Sequence, residues 1–132
     1  FSPLMANESA ITDILTLGGR LKTTLEEEFI TLSEKNLERL EEVQVRKIEL
    51  LRELDETWNN AQLSEDDAIN FEDPLWDEAR ALVNECKEAH IRNDLLLKRQ
   101  LEVVRTVLSS LTKRSADNQS NLYDKLGRMR RR

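Results

Sequence analysis

The sequence predicts an all-α protein, an antiparallel three-helix bundle or coiled coil with a long third helix and a flexible C-terminal tail. Aromatic residues make up 5% of the chain and there are only 3 Gly and 2 Pro, so the residues that build sheets and turns are scarce. Apolar residues recur three and four positions apart, which is the spacing of one helix face. With 132 residues the chain has room for one sizeable core. We expect a bundle domain over residues 7–112 and a basic tail over residues 113–132.

The first helix is predicted over residues 8–33. Its apolar face consists of residues that step by three or four: Ile11, Ile14, Gly18, Leu21, Leu25, Phe29 and Leu32. Inside a helix, Gly18 and Gly19 are each unfavourable by roughly 1 kcal/mol relative to Ala. They therefore indicate a kink or a close approach by another helix, and a packing role is a simpler interpretation than a ligand role.

The second helix is predicted over residues 36–59 and has the clearest division into an apolar and a charged face. The apolar face is formed by Leu37, Leu40, Val43, Ile48, Leu51, Leu54 and Trp58. Between the first two helices, Ser33 and Asn36 are good N-caps, which favours a reversal near residues 34–35. The connecting segment contains neither Gly nor Pro, so one continuous helix is the alternative.

The third helix is predicted over residues 74–112. It begins where Asp73 supplies an N-cap and Pro74 the first helical position. Its stripe comprises Leu75, Ala79, Leu82, Val83, Cys86, His90, Asn93, Leu97, Gln100, Val104, Val107 and Leu111. At about 1.5 Å per residue this helix is roughly 57 Å long, and each of the other two is roughly 38 Å long. The part beyond about Lys98 is therefore expected to project past its partners.

The projecting part keeps an apolar stripe that a monomer would leave in water. The stripe is formed by Leu101, Val103, Val104, Val107, Leu108 and Leu111. Contiguous exposed apolar surface usually marks an interaction site. This stripe is therefore the candidate partner-binding surface.

Polar residues interrupt the three stripes and predict a polar layer in the core. If the helices run up, down and up, residue x of the second helix lies level with about 69 − x of the first and 134 − x of the third. This register places Gln44 level with His90, and Asn93 level with Glu28; Lys47 is a further member. Such a layer costs stability unless every member is hydrogen-bonded, but it fixes register and partner number. The alternative is that these residues border the core and reach water.

Catalytic chemistry is not expected. Cys86 and His90 share a helix face, but zinc takes three or four ligands and the chain has no other Cys or His. A small apolar Cys and an inward, hydrogen-bonded His are the better interpretation. Carboxylates lie in runs typical of solvated helix faces, and there is no glycine-rich phosphate loop or nucleophile elbow. We expect a non-enzymatic protein with no metal, cofactor or small-molecule substrate.

The expected location is the cytoplasm. The sequence has no run of about 18 uncharged apolar residues and no basic segment followed by an apolar one at its start. A single cysteine, Cys86, fits a reducing compartment. The residues FSPL precede Met5, and we expect them to be a cloning remnant with no functional role.

Charge is distributed unevenly along the chain. Residues 1–112 contain 13 Lys or Arg against 24 Asp or Glu, a net charge of −11, whereas residues 113–132 contain 7 against 2, a net charge of +5. This asymmetry indicates that the tail is a separate functional unit.

The ordered set of motifs resembles the flagellar FlgN-type export chaperones. The resemblance runs from about Ile11 to Arg128 and rests on three stretches of sequence: NLERLEEVQVRKIELLREL, HIRNDLLLKRQLEVVRTVLSSL and NLYDKLGR. Within them, Lys47 precedes a Leu pair, Asn93 precedes a run of three Leu, and a Tyr-Asp-x-x-Gly motif begins at Tyr123.

The resemblance implies a non-catalytic cytoplasmic protein that binds flagellar hook-associated subunits before secretion and delivers them to the export gate. Carried over by position, the client would bind the late part of the third helix and the tail, with Leu101, Val104, Val107, Leu108 and Leu111 as its contacts. Docking on the export gate would fall on Tyr123, with Asp124 and Gly127 shaping its turn.

Two other functions fit parts of the pattern. The third helix could dimerise through Val104, Val107 and Leu111, which would make the chain a structural coiled-coil adaptor. The arginines of the tail, Arg128 and residues 130–132, could contact phosphates of a nucleic acid or another acidic surface. The acidic body opposes that second function, and no array of stacking aromatics accompanies the arginines, so nucleic acid is not an expected partner.

Overall fold

The computed structural model describes the backbone of residues 3–63 and 69–131, and the side chains of residues 10–63 and 69–113. It contains three helices, α1 (Pro3–Glu34), α2 (Leu37–Leu63) and α3 (Pro74–Arg131), and no strand in the described backbone. The all-α prediction is confirmed. The chain divides into two compact units, Phe1–Leu95 and Leu96–Arg132, which we call the bundle unit and the C-terminal unit.

The chain reverses between α1 and α2. Lys35 has a φ of 58°, in the left-handed region. The amide of Lys35 donates to the carbonyl of Leu32, and the amide of Asn36 donates to that of Thr31, both at 3.2 Å. This is the bonding pattern of a helix C-cap that reverses the chain. The side-chain oxygen of Asn36 then accepts from the amide of Arg39 at 3.3 Å. The reversal is confirmed, and a continuous helix is excluded.

Replacing Lys35 with Gly should stabilise the protein. A side chain in the left-handed conformation costs about 1 kcal/mol, and Gly adopts this conformation without that cost. We expect the free energy of unfolding to rise by about 0.5–1 kcal/mol in urea denaturation. Lys35→Ala serves as the control, because it removes the same charge and keeps the strain. A stability gain equal in both variants would contradict this explanation.

The start of α3 matches the prediction, and its end does not. The Asp73 carboxylate accepts from the amide of Leu75 at 2.9 Å, and Pro74 occupies the first helical position. The helical backbone continues to Arg131, well past the predicted end at 112. No Gly or Pro lies between residues 75 and 126, so nothing in the sequence stops the helix there. None of the helices, over the described residues, is both long and apolar enough to cross a membrane.

Two apolar clusters fill the bundle unit. The first joins buried Ile11, Ile14 and Ala79 with the partly buried Leu15, Leu54, Trp58, Ile69, Leu75 and Trp76. The second joins buried Leu21, Leu25, Cys86 and Ala89 with the partly buried Leu50 and Leu54. Because Leu54 belongs to both clusters, they form one continuous core along α1.

An aromatic cluster confirms the predicted register at one end of the bundle. The register places residue 58 level with residues 11 and 76. The rings of Trp58 and Trp76 stack with centroids 5.9 Å apart, and Phe71 meets Trp76 edge-on at 5.1 Å. Ile11 belongs to the same apolar cluster. The three helices therefore run up, down and up as predicted.

Several predicted core positions lie at the surface instead. Leu37, Ile48 and Leu51 of α2 are exposed, and so are Val83 and His90 of α3. Leu50 and Ala89 take inward positions that the predicted stripes omitted. Helical spacing of three or four residues fits either flank of a stripe, so the pattern alone does not separate neighbouring positions such as 89 and 90.

Gly18 lies where α1 and α3 approach closely, while Gly19 does not. A Cβ on Gly18 would lie 3.0 Å from Cδ2 of Leu82, and a Cβ on Gly19 would meet nothing within 4 Å. The predicted close approach is therefore confirmed at Gly18.

Alanine substitutions should separate these two glycines. Gly19→Ala is expected to raise the free energy of unfolding by about 0.5–1 kcal/mol, because Ala favours the helix and the site is open. Gly18→Ala should give less than half of that gain, because Leu82 has to move. Thermal unfolding followed by circular dichroism measures both changes. Equal gains would show that Gly18 has no packing role.

Candidate interaction surfaces

A buried polar cluster connects all three helices of the bundle unit. Glu28 of α1 is 2% exposed and Asn93 of α3 is 1% exposed. The side chain of Lys47 of α2 is 14% exposed, and its Nζ donates to Oε2 of Glu28 at 2.7 Å. The Asn93 amide nitrogen Nδ2 donates to Oε1 of Glu28 at 2.9 Å and to the carbonyl of Leu25 at 2.7 Å. We call Glu28, Lys47 and Asn93 the polar triad.

Each polar atom of the triad that is deeply buried has a partner. Both carboxylate oxygens of Glu28 accept a hydrogen bond, both hydrogens of the Asn93 amide nitrogen can be donated, and Asn93 Oδ1 accepts from Nε of Arg92 at 3.1 Å. A buried charge is tolerated when it is paired and hydrogen-bonded in this way. One carboxylate thus bonds to side chains of two other helices, so the triad fixes the rotation and the axial position of all three.

Two predicted members of the polar layer lie outside the triad. Gln44 is only half-buried, and His90 is exposed. His90 lines an open groove between α2 and α3 instead of the core. Its place toward the interior is taken by Ala89, one residue earlier, which is buried. The prediction that His90 points inward and is hydrogen-bonded is therefore wrong. The prediction that Asn93 lies level with Glu28 along the bundle is correct.

Cys86 is a buried packing residue. Its Sγ donates to the carbonyl of Gly18 at 3.3 Å. Burial raises the pKa of the Cys86 thiol above its usual value, although the nearby Lys22 opposes the shift. The thiol therefore stays protonated at neutral pH and is a poor nucleophile. Among residues 10–63 and 69–113, no three His, Cys, Asp or Glu side chains gather in a way that could hold a metal ion.

The predicted client-binding residues form an exposed apolar stripe on the C-terminal unit. Each member is between 50% and 62% exposed: Leu101, Val103, Val104, Val107, Leu108 and Leu111. Positions 101, 104, 108 and 111 step by three or four residues and so share one face of the helix. We call this set the C-terminal stripe. An apolar stripe of this kind can receive the apolar face of a second helix.

The predicted gate-docking residues lie outside the described side chains. The helical backbone of α3 includes positions 123, 124 and 127. Tyr123, Asp124 and Gly127 themselves belong to the segment 114–132, whose side chains are not described. Their role stays a prediction.

The structure also contains a groove that the sequence did not predict. Two adjoining cavities, of about 410 Å³ and 490 Å³, lie between α2 and α3 and share Leu54 and Val83 as lining residues. We call them together the α2–α3 groove. Its floor includes Ile14 and Gly18 of α1. The groove runs from the stacked tryptophans to the level of Lys47.

Comparisons with protein-family models, with curated proteins and with solved structures found no match to this chain.

Proposed function

We propose that the chain is a cytoplasmic flagellar type III export chaperone. It binds hook-associated subunits, prevents their premature assembly and delivers them to the export gate. The observation that carries this proposal is the C-terminal stripe, since six large apolar residues half or more exposed form a surface that water disfavours. The order of motifs along the chain, which resembles the FlgN-type chaperones, supplies the identity of the client.

The chemistry of the stripe suits capture of a helical client. Flagellar subunits that await export need their assembly surfaces covered, and an amphipathic client helix can lay its apolar face along Leu101, Val104 and Leu108. Burial of a Leu or Val side chain contributes about 1.5–3 kcal/mol. A micromolar complex needs about 8 kcal/mol beyond an association cost of at least about 4 kcal/mol, so the whole stripe and the matching apolar face of the client have to contribute.

Co-expression with hook-associated subunits tests this proposal. We expect one subunit to co-purify with the chain as a stable complex. Tyr123→Ala should leave that complex intact and reduce secretion of the subunit, because the tyrosine is assigned to the export gate. Failure to capture any hook-associated subunit would contradict the proposal, and loss of the client complex in Tyr123→Ala would contradict the assigned roles.

A dimeric coiled-coil adaptor is the second candidate, because the same stripe could pack against a copy of itself. In that case light scattering of the free chain would give twice the monomer mass, and Val107→Asp would restore the monomer. A monomer at micromolar concentration would exclude the adaptor.

A further inference from the structure

We propose that the α2–α3 groove binds an amphipathic α-helix of another protein, with acidic side chains beside its apolar face. This groove belongs to the bundle unit and is separate from the C-terminal stripe. The inference therefore stands without the flagellar proposal.

The dimensions of the groove fit a helix of three to four turns. On the α3 side it extends from Trp76 to His90, and on the α2 side from Lys47 to Trp58. At about 1.5 Å per residue, these walls are roughly 21 Å and 17 Å long. An occupant of about 11–14 helical residues would cover that length.

The walls favour a helix over an extended peptide. Both walls are helices, whose backbone donors and acceptors bond within the helix itself. An extended peptide would find no sheet edge to pair with, whereas a helix satisfies its own backbone. On α3 the lining positions 76, 80, 83, 87 and 90 alternate steps of four and three, which is the seam spacing of packed helices. The occupant is thus a fourth helix of the bundle.

The interior of the groove is apolar and partly open to water. Leu51 of α2 and Val83 of α3 both line it, and they are 44% and 45% exposed. Gly18 of α1 lies in the floor of the groove. Covering these residues removes apolar surface from water and provides the affinity.

The charges along the groove determine which charged side chains the occupant can carry beside its apolar face. Arg80 and Lys87 line the α3 wall two turns apart, and Asp55 is the only acidic residue among those that line the two cavities. This basic border lies within residues 1–112, whose net charge is −11. Acidic side chains seven residues apart on the occupant would meet Arg80 and Lys87, and basic ones would be repelled.

Two synthetic 14-residue helical peptides test the proposal. Both carry Leu at seam spacing; one has Glu at two flanking positions seven residues apart, and its twin has Lys there. Trp58 and Trp76 are the only tryptophans of the chain and both line the groove, so their emission reports occupancy. We expect the acidic peptide to shift this emission to the blue and to bind about tenfold tighter than its twin.

Matched variants identify the groove as the binding site. Arg80→Glu combined with Lys87→Glu should reverse the preference between the two peptides. Val83→Asp should abolish binding, and Ile91→Asp should not, because Ile91 is similarly exposed on the same helix, at 49%, but lines neither cavity.

Three results would overturn the proposal. The first is the absence of an emission shift with either peptide, and the second is equal binding of both. The third is a dimer of the free chain that Val83→Asp dissociates, since a second copy would then be the occupant.

Discussion

Replacing Glu28 with Leu should lower the free energy of unfolding by about 3 kcal/mol. The substitution keeps the approximate volume, but it leaves the Lys47 ammonium without its carboxylate and removes one of the partners of Asn93. Breaking a buried ion pair from one side typically costs about 3–5 kcal/mol. The expected cost lies at the lower end, because Lys47 is 14% exposed and can extend toward water. Urea denaturation followed by circular dichroism measures the change.

Glu27→Leu is the matched control for this substitution. Glu27 neighbours Glu28 and pairs with Arg46 of α2 at 2.8 Å, but its side chain is 28% and that of Arg46 51% exposed. An exposed pair of this kind contributes less than about 1 kcal/mol. A loss of stability as large in Glu27→Leu as in Glu28→Leu would show that burial of the triad has no special role.

Replacing the whole triad with Leu should have a different outcome from breaking it. With Glu28, Lys47 and Asn93 all changed, no buried polar group is left unpaired, and stability should be equal to that of the wild type or higher by about 1–4 kcal/mol. The expected loss is in specificity, because leucines pack in more than one register. Light scattering of Asn93→Leu and of the triple variant would then show mixed oligomeric states. A single unchanged state would contradict the assigned role.

Replacing Val107 with Asp should weaken the client complex about 100-fold and leave the bundle intact. The charge would lie in the middle of the C-terminal stripe, where burial without a partner is costly. Val107 is 50% exposed, so the free chain should lose no more than about 0.5 kcal/mol of stability. Isothermal titration calorimetry with the co-purified subunit gives the affinity, and circular dichroism gives the fold. Leu111→Asp should behave in the same way.

Val45→Asp is the control for the stripe variants. Val45 is 52% exposed on α2, in the bundle unit, and lines neither cavity of the groove. Val45→Asp therefore makes the same change in charge and size at a position outside both the C-terminal stripe and the α2–α3 groove. Equal weakening of the client complex by Val45→Asp and Val107→Asp would mean that charge, and not the stripe, governs binding.

The sequence predicted how far along the bundle each residue lies better than it predicted which residues point toward the core. A helix rises by about 1.5 Å per residue, so a reversal at Lys35 and the loop before Asp73 are enough to align Glu28 with Asn93 and Trp58 with Trp76. The rotation of a helix about its axis decides which of two neighbouring residues points inward, and neighbouring residues point about 100° apart. That choice placed His90 inward, where the structure has Ala89.

The sequence could not predict the α2–α3 groove, and its composition was a misleading guide to the length of α3. Amphipathic spacing identifies an apolar stripe, but it does not tell whether a neighbouring helix covers it, so Leu51 and Val83 were assigned to the core. Residues 113–126 are mostly polar and have neither Gly nor Pro. Their composition suggested a tail, although nothing in it stops a helix that has already formed.

Hydrogen exchange of residues 96–113, with and without a hook-associated subunit, shows whether the C-terminal stripe receives the client. We expect the amides around the C-terminal stripe to exchange rapidly in the free chain, because the apolar side chains of the stripe are at least half exposed, and to slow at least tenfold when the client binds. Exchange that is unchanged by the client would contradict the account. Slow exchange in the free chain that depends on protein concentration would contradict it as well, and would identify a dimer.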